Sequence, residues 1–413
     1  MKFEQYRISE EIKRSLEELG FKKPTDIQYK AIPSILNGDD VLAIAQTGTG
    51  KTAAFAIPVL HMLQRQRTTK IPGQVKCLVM VPTRELAIQI AEVFIQIARY
   101  TKLKILGLFG GVDQDPQIKK LEKGVDVLIA TPGRMFDLIN QQHIDLSRVE
   151  ILILDEADHM LALGFIKDIR DVMKFLPRKH QTLFFSATID KDIKDLAYSI
   201  VTNPIRIQIS PQDPVSKNVT HSVAYVKMDD KRFFLERMAK EFPESKILVF
   251  VRTKVRAERV FNAMQRVGVE TLTMHGGKEQ DDRLQVMKEF KKGDVKILIA
   301  TDVSARGIDI PNVDYVVNYD LPDVPENYVH RVGRTGRGVQ KGKAVSFCSD
   351  EEKPVLKEIE KFLGKEIQEM KIEKDEYRET ISFSEDTPND NWQLLIDQHE
   401  NSLREQKRKK KKR

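Results

Sequence analysis

Cysteine is almost missing from this chain: Cys77 and Cys348 are the two thiols in 413 residues. Thiols that far apart build no disulfide framework and carry no metal-ligand spacing, so a reducing setting is expected. Long apolar runs are missing as well. No stretch approaches the roughly 20 residues of a membrane-spanning helix. The opening MKFEQYRISEEIKRSLEELG is mixed in charge and lacks a signal peptide's apolar core, so the expectation is a cytoplasmic protein with no membrane attachment. An excess of one charge is also absent once the C-terminus is set aside. Net charge is +7, but the last ten residues, REQKRKKKKR, hold eight Lys/Arg and one Glu. Residues 1–403 therefore carry 60 basic and 60 acidic side chains. That balance excludes a global electrostatic field, and any polyanion must be met by local patches.

What is present is a globular composition, 41% hydrophobic and 31% charged, long enough for two or three domains. Short apolar runs end in polar or glycine-containing turns: CLVMVPTREL, DVLIATPGR, ILILDEAD and TLFFSAT. Separated by helix-length segments, such runs predict buried parallel strands of an α/β sheet. After residue 240 the alternation restarts with KILVFVRT, TLTMHGG, VKILIATDVSARG, YVVNYDLP and KAVSFCS, and LIAT at 128–131 recurs at 298–301. Two similar α/β lobes follow. The proline-bearing stretch between them, with Pro204, Pro211 and Pro214, predicts a linker at 210–218. The expected division is therefore a first lobe over 1–209, the linker, a second lobe over 219–368 and a charged, flexible tail over 369–413.

Three motifs carry chemistry by their residues alone. VLAIAQTGTGKTAAFAIPVL is an apolar strand, a glycine-rich loop and an apolar helix that opens with Lys51 and Thr52. Backbone N–H groups of such a loop cradle phosphates, the lysine reaches the outer phosphates, and the threonine hydroxyl ligates Mg²⁺. The usual pattern begins with glycine, where this chain has Ala45. VEILILDEADHML delivers Asp155 and Glu156 to a strand's C-terminal end, the ligand edge of an α/β sheet. Asp155 suits a direct or water-mediated Mg²⁺ contact, and Glu156 suits orienting or deprotonating an attacking water. HRVGRTGRG, residues 330–338, sets three arginines among three glycines and looks built for phosphate oxygens.

Together these residues carry a resemblance. AQTGTGKT (45–52), DEAD (155–158), SAT (186–188) and HRVGRTGR (330–337) resemble the signature set of the DEAD-box ATP-dependent RNA helicases. GFKKPTDIQ (20–28) is similar to that family's adenine-reading motif. PTREL (82–86), GG (110–111), TPGR (131–134), HGGKEQDDR (275–283) and ATDVSARGIDI (300–310) also match, in family order. Within the family the chain looks most like the compact bacterial RhlE-type members.

The resemblance implies two RecA-like lobes, each a mostly parallel sheet flanked by helices, with ATP and Mg²⁺ between them and RNA across both. The implied nucleotide contacts are Phe21, Thr25 and Gln28, the loop Ala45, Gln46, Thr47, Gly48, Thr49, Gly50, Lys51 and Thr52, and from the second lobe Gly307 and Asp309. A Gln28 amide both accepts from and donates to an adenine edge. Phe21 offers a stacking face, while Phe3 is either the family's upstream aromatic or simply core. Implied catalytic groups are Lys51, Asp155 and Glu156, with Arg334 and Arg337 as arginine fingers; Thr52 and Asp155 are the implied metal ligands. The implied RNA contacts are Pro82, Thr83, Arg84, Gly110, Gly111, Thr131, Pro132, Gly133 and Arg134, then Gly276, Gly277, Gln280, Arg283 and Thr301. They supply N–H groups, hydroxyls and arginines with almost no aromatics, a set that binds phosphate and sugar without reading sequence. Asp158, Ser186, Thr188, His330 and Arg331 match positions that couple the two ligands. The implied activity is RNA-stimulated ATP hydrolysis coupled to lobe closure and to local unwinding of short RNA duplexes or RNP remodelling. The chain departs from the family pattern at VRTK (251–254), at Ser304, and at His159 and Ala162 after the DEAD box. His159 reads as a surface or interlobe hydrogen-bonding residue, since no second metal ligand stands near it.

The basic terminus reads either as a solvated solubility segment or as a sequence-independent RNA tether. A tether of eight cations releases several counterions, which makes it salt-sensitive. Deleting 404–413 is expected to weaken RNA affinity at low salt and leave basal ATPase intact, as read by RNA titrations at two ionic strengths. A loss independent of salt would contradict the tether.

Overall fold

The computed structural model describes residues 2–45, 48–65, 71–189, 191–209, 215, 218–305, 313–336 and 341–384, with the side chains of 280, 281, 303 and 305 outside that description. Gln46, Thr47, Gly307, Asp309 and Arg337, most of the expected linker and residues 385–413 therefore lie outside the described residues, as does the Gln280 side chain.

The apolar runs form strands. In the first lobe these are β1 (Val41–Ala45), β2 (Cys77–Met80), β3 (Ile105–Leu108), β4 (Val127–Ala130), β5 (Ile151–Leu154), β6 (Gln181–Ser186) and β7 (Ile205–Ile209). They make one parallel sheet in the order β3-β4-β2-β5-β6-β1-β7. Helices cover both faces, so β1, β2, β4, β5 and β6 are buried at every position. This is why their sequences run continuously apolar instead of alternating. Neighbouring Phe184 and Phe185 enter the two opposite cores, as the two-residue period of a strand requires.

The second lobe contains β8 (Val219–Tyr225), β9 (Ile247–Val251), β10 (Leu272–Met274), β11 (Ile297–Thr301), β12 (Tyr315–Asn318), β13 (Gly342–Cys348) and β14 (Gln368–Glu369). Its order is β10-β11-β9-β12-β13-β8-β14, again parallel. Each strand of the first sheet thus has a counterpart seven strands later in the same place. The LIAT echo falls on one such pair, β4 and β11. The expected two RecA-like lobes are therefore present.

The second lobe continues beyond the expected boundary at residue 368. The charge-rich segment Lys374–Ser382 is helical and docks on the helix Lys231–Glu241 instead of beginning a flexible tail. Tyr377 is the reason: its hydroxyl donates to Asp230 at 2.8 Å and accepts from the Lys227 N–H at 3.1 Å. Its ring lies 5.0 Å from Phe234. Arg237 adds a 2.6 Å bond to the Thr380 hydroxyl. One aromatic among charged neighbours leaves no apolar period to read in the sequence. In the linker, Val215 is buried in the second lobe's core. Tyr377→Ala is expected to cost about 1–3 kcal/mol, through lost hydrogen bonds and ring burial. Tyr377→Phe is expected to cost less; urea unfolding of the full chain measures both.

Candidate active site

Parallel sheets place their ligand groups at the carboxyl ends of the strands, and here strand order divides those groups. The glycine-rich loop, Asp155–Glu156 and Ser186 follow or end β1, β5 and β6, one contiguous half of the first sheet. Pro82–Arg84, Gly110–Gly111 and Thr131–Arg134 follow β2, β3 and β4, the other half. The expected nucleotide and RNA contacts are thus neighbours along one edge.

On the nucleotide half, Gly50 caps the helix Lys51–Gln64 in a left-handed conformation, φ 92°. A Cβ there would meet the Gln28 side-chain nitrogen at 2.5 Å. Glycine is required because that amide presses onto the loop: Gln28 Nε2 donates to the Gly50 carbonyl at 3.2 Å. Gln28 Oε1 accepts from the Thr25 N–H at 2.9 Å, closing a capping box on the helix Asp26–Leu36. The buried amide keeps one N–H and one lone pair for a base edge. Phe21 is half-buried and stands edge-on to Phe3 at 5.8 Å. Phe3 itself belongs to the first lobe's core.

Asp155 and Glu156 are both buried. Glu156 adopts a left-handed backbone, φ 51° and ψ 50°, uncommon for a residue with a Cβ and a mark of strain held by its surroundings. Burial pushes the Asp155 carboxyl up to about 6, with the Glu156 charge adding to the rise and the Lys51 charge opposing it. Burial acts on Glu156 in the same direction. It is outweighed by the His159 hydrogen bond and the charges of His159, Lys51 and Arg334, which bring the carboxyl down to about 2. Lys51 Nζ is itself buried with no hydrogen-bond partner. A buried cation without a partner, beside a desolvated carboxylate and the Thr52 hydroxyl, is an incomplete constellation. Nucleotide phosphates with a hard cation fit it: phosphate oxygens would satisfy Lys51, and the oxygens of Thr52 and Asp155 would hold Mg²⁺.

Asp158 stands where the two lobes meet. Its Oδ2 accepts from the N–H groups of Ala187 and Thr188, both at 3.2 Å, and from the Thr188 hydroxyl at 3.3 Å. His330 of the second lobe approaches the same oxygen at 4.0 Å. The Ser186 hydroxyl is buried without a hydrogen-bond partner. Arg334, 3% exposed, donates to the His330 carbonyl and bears electrostatically on Glu156. Arg331 stays within its own lobe. It grips Asp302 with Nε and Nη2 at 2.6 and 2.7 Å and donates to Asn318 and the Asp320 carbonyl. Asp302 follows β11, so this bidentate pair connects the arginine helix Pro325–Val332 to the strand that carries Thr301.

On the RNA half, Thr83 caps the helix Arg84–Ile97 by accepting from the Leu86 N–H. Gly111 has φ 79°, and a Cβ there would collide with the Arg84 guanidinium. Pro132 begins the helix Pro132–Asn140 after Thr131, with Gly133 open to its surroundings. Arg134 donates to the Val112 carbonyl at 2.9 Å, while its other terminal nitrogen is buried without a partner. In the second lobe, Gly277 N–H donates to His275 Nδ1 and Gly276 is open. Thr301 donates to Ser304. Arg283, expected at RNA, spans the lobes to Glu85 at 2.8 Å.

Sequence reasoning passed over two groups and placed a third differently. Glu85 is the interlobe acid, Asp302 holds Arg331, and His159 is not at the surface but buried and bonded to Glu156 at 3.3 Å. Only His159 left a signal, its i+3 spacing from the acid. The raised Asp155 carboxyl also fixes a sign: its ionised form is a cost to folding above pH ~6, relieved as pH falls toward the ordinary 3.8. Asp155→Asn is therefore expected to raise the ligand-free melting temperature at pH 8, with a gain that shrinks below pH 6.

Residues 25–196 match the DEAD/DEAH box helicase family and residues 230–339 the helicase conserved C-terminal domain. The chain is 39% identical to the ATP-dependent RNA helicase DbpA of Bacillus subtilis, over 89% of this chain and 76% of that one. It is 40% identical to the ATP-dependent RNA helicase RhlB of Shewanella piezotolerans, over 88% and 84%. Among solved structures, Saccharomyces cerevisiae Dbp5 bound to RNA and ADP BeF3 superposes with a TM-score of 0.81 at 30% identity, covering 92% of this chain and 98% of that one. Mss116p bound to ssRNA and AMP-PNP gives 0.80 at 28% identity, covering 96% and 84%. Relatives with different names stand at nearly equal identity, and the narrower RhlE-type affiliation is not established by them. No helix among the described residues is long and apolar enough to cross a membrane. The chain belongs to the DEAD-box family of ATP-dependent RNA helicases, enzymes that hydrolyse ATP on two RecA-like lobes.

Proposed function

We propose that this helicase acts as a clamp closed jointly by ATP and RNA, and that hydrolysis resets the clamp instead of driving it along a strand. The observation that carries the reading is Arg334: a second-lobe arginine bears on Glu156 of the first lobe. Lys51 and the loop Ala45–Thr52 bind the phosphates, and Thr25, Gln28 and Phe21 hold the adenine. The nucleotide-side roles expected of Gly307, Asp309 and Arg337 belong to this proposal through the sequence alone, since these residues lie outside the described ones. Mg²⁺, held by Thr52 and Asp155, neutralises phosphate charge when bound. Glu156, held below its ordinary carboxyl value by the His159 hydrogen bond and the charges of His159, Lys51 and Arg334 despite its burial, is ionised and orients the attacking water. That division suits a phosphoryl transfer governed by positioning and charge. Asp158, Thr188, Ser186 and His330 relay closure between the lobes, and Arg331 fixes the arginine helix against the RNA-side strand.

RNA is the proposed partner, gripped through sugar and phosphate by the loops after β2, β3, β4, β10 and β11. The RNA-bound states of Dbp5 and Mss116p support this, as does the N–H, hydroxyl and arginine chemistry of those loops. Closure bends the held strand and opens a few base pairs, each on the order of 1–2 kcal/mol by analogy with DNA stacking. The basic terminus adds a sequence-independent tether, and the enzyme works in the cytoplasm. Hydrolysis measured with RNA and with DNA of one sequence tests the substrate; equal stimulation would sink the RNA assignment. Arg334→Ala is expected to lower RNA-stimulated turnover ~10³-fold while ATP binding persists, as read by steady-state ATPase and nucleotide titration.

A further inference from the structure

We propose that His159 is a positioning residue for hydrolysis, fixing the Glu156 carboxylate in the orientation that holds the attacking water. Glu156 sits at a left-handed turn, and the short helix Ala157–Ala162 starts directly after it. That turn brings the side chain three residues on back to the acid: His159 Nδ1 lies 3.3 Å from Glu156 Oε2. Both side chains are enclosed, at 5% and 11% exposure. An ionised carboxylate only accepts hydrogen bonds, so Nδ1 is the donor. The bond engages Oε2, and no hydrogen bond is seen at Oε1 among the described residues.

Two further observations separate this role from packing. His159 Nε2 is buried with no hydrogen-bond partner. As a filler of core space, histidine therefore incurs a desolvation cost that an apolar side chain would avoid. The backbone is independently held, since the His159 N–H donates to Asp158 Oδ1 at 3.1 Å, so the ring is not needed to form the turn. His159 belongs to the same turn as Glu156, whereas Arg334 arrives from the other lobe. The bond that orients the acid therefore comes from within its own turn and needs no group of the second lobe.

The inference rests on the water-orienting role of Glu156, and the experiment separates the two. His159→Ala and His159→Leu, the second filling the space without a donor, are made in the full chain beside His159→Asn, whose amide nitrogen stands near the Nδ1 position. With saturating RNA, both donor-free variants are expected to lose ~10- to 100-fold in kcat, the scale of a misplaced reacting group. KM for ATP and RNA affinity with a non-hydrolysable analogue should stay within about twofold, and His159→Asn should recover most of the rate. In a Glu156→Gln background, His159→Ala should add no further loss in single-turnover hydrolysis. Unchanged kcat, a rise confined to KM, an Asn variant as poor as Leu, or additive losses would each overturn the positioning role. If one donor-free variant fails to fold, the other and His159→Asn still decide it. Normal turnover by Glu156→Gln alone would instead refute the reading of Glu156 on which the inference stands.

Discussion

Two adjacent carboxylates, Asp155 and Glu156, are delivered by a fully buried strand into a site with little access to water, and much of the interface answers that constraint. Buried charge without compensation is costly, yet the two acids are treated differently. Asp155 is left desolvated with its carboxyl raised to about 6, beside a buried lysine that lacks a hydrogen-bond partner. Glu156 is brought down to about 2 by one hydrogen bond and three nearby basic groups. The first arrangement waits for phosphate and a cation. The second is already set for chemistry. Part of its field comes from Arg334, so the completed electrostatics of the site depend on the second lobe being in place.

Strand order converts this local constraint into coupling. The same edge of the first sheet carries the groups proposed for nucleotide after β1, β5 and β6 and those proposed for RNA after β2, β3 and β4. The second sheet repeats the order, and its loops reach the first lobe at individual pairs. Asp158 bonds the Ala187–Thr188 turn and meets His330, and Glu85 at the start of the Thr83-capped helix holds Arg283. One interlobe pair lies on each half of the edge. A ligand that strengthens either pair favours the same closed arrangement, which is the condition for two ligands to couple.

Much of this was legible in the chain. Continuous apolar runs announced buried parallel strands, and their restart after residue 240 announced a second lobe, because neither signal needs distant contacts. Lys51, Thr52, Asp155 and Glu156 could be assigned by type and spacing, since each is set by one strand and the turn after it. The helix Lys374–Ser382 was missed because a single aromatic, Tyr377, anchors it within a charged segment. His159 was read as a surface or interlobe group because its burial follows from packing against the rest of the lobe, which spacing alone does not reveal.

By itself, the sequence determined the elements, the duplication and the inventory of reactive groups, all of which depend on local periodicity and on short strand–turn–helix units. Tertiary structure alone decided which charges meet. Arg334 bears on Glu156 across 178 residues of chain, Arg283 selects Glu85, and Arg331 turns inward to Asp302 instead of crossing the interface. Those choices rest on burial and on distances of a few ångströms, where electrostatic energy varies steeply and residue type says nothing.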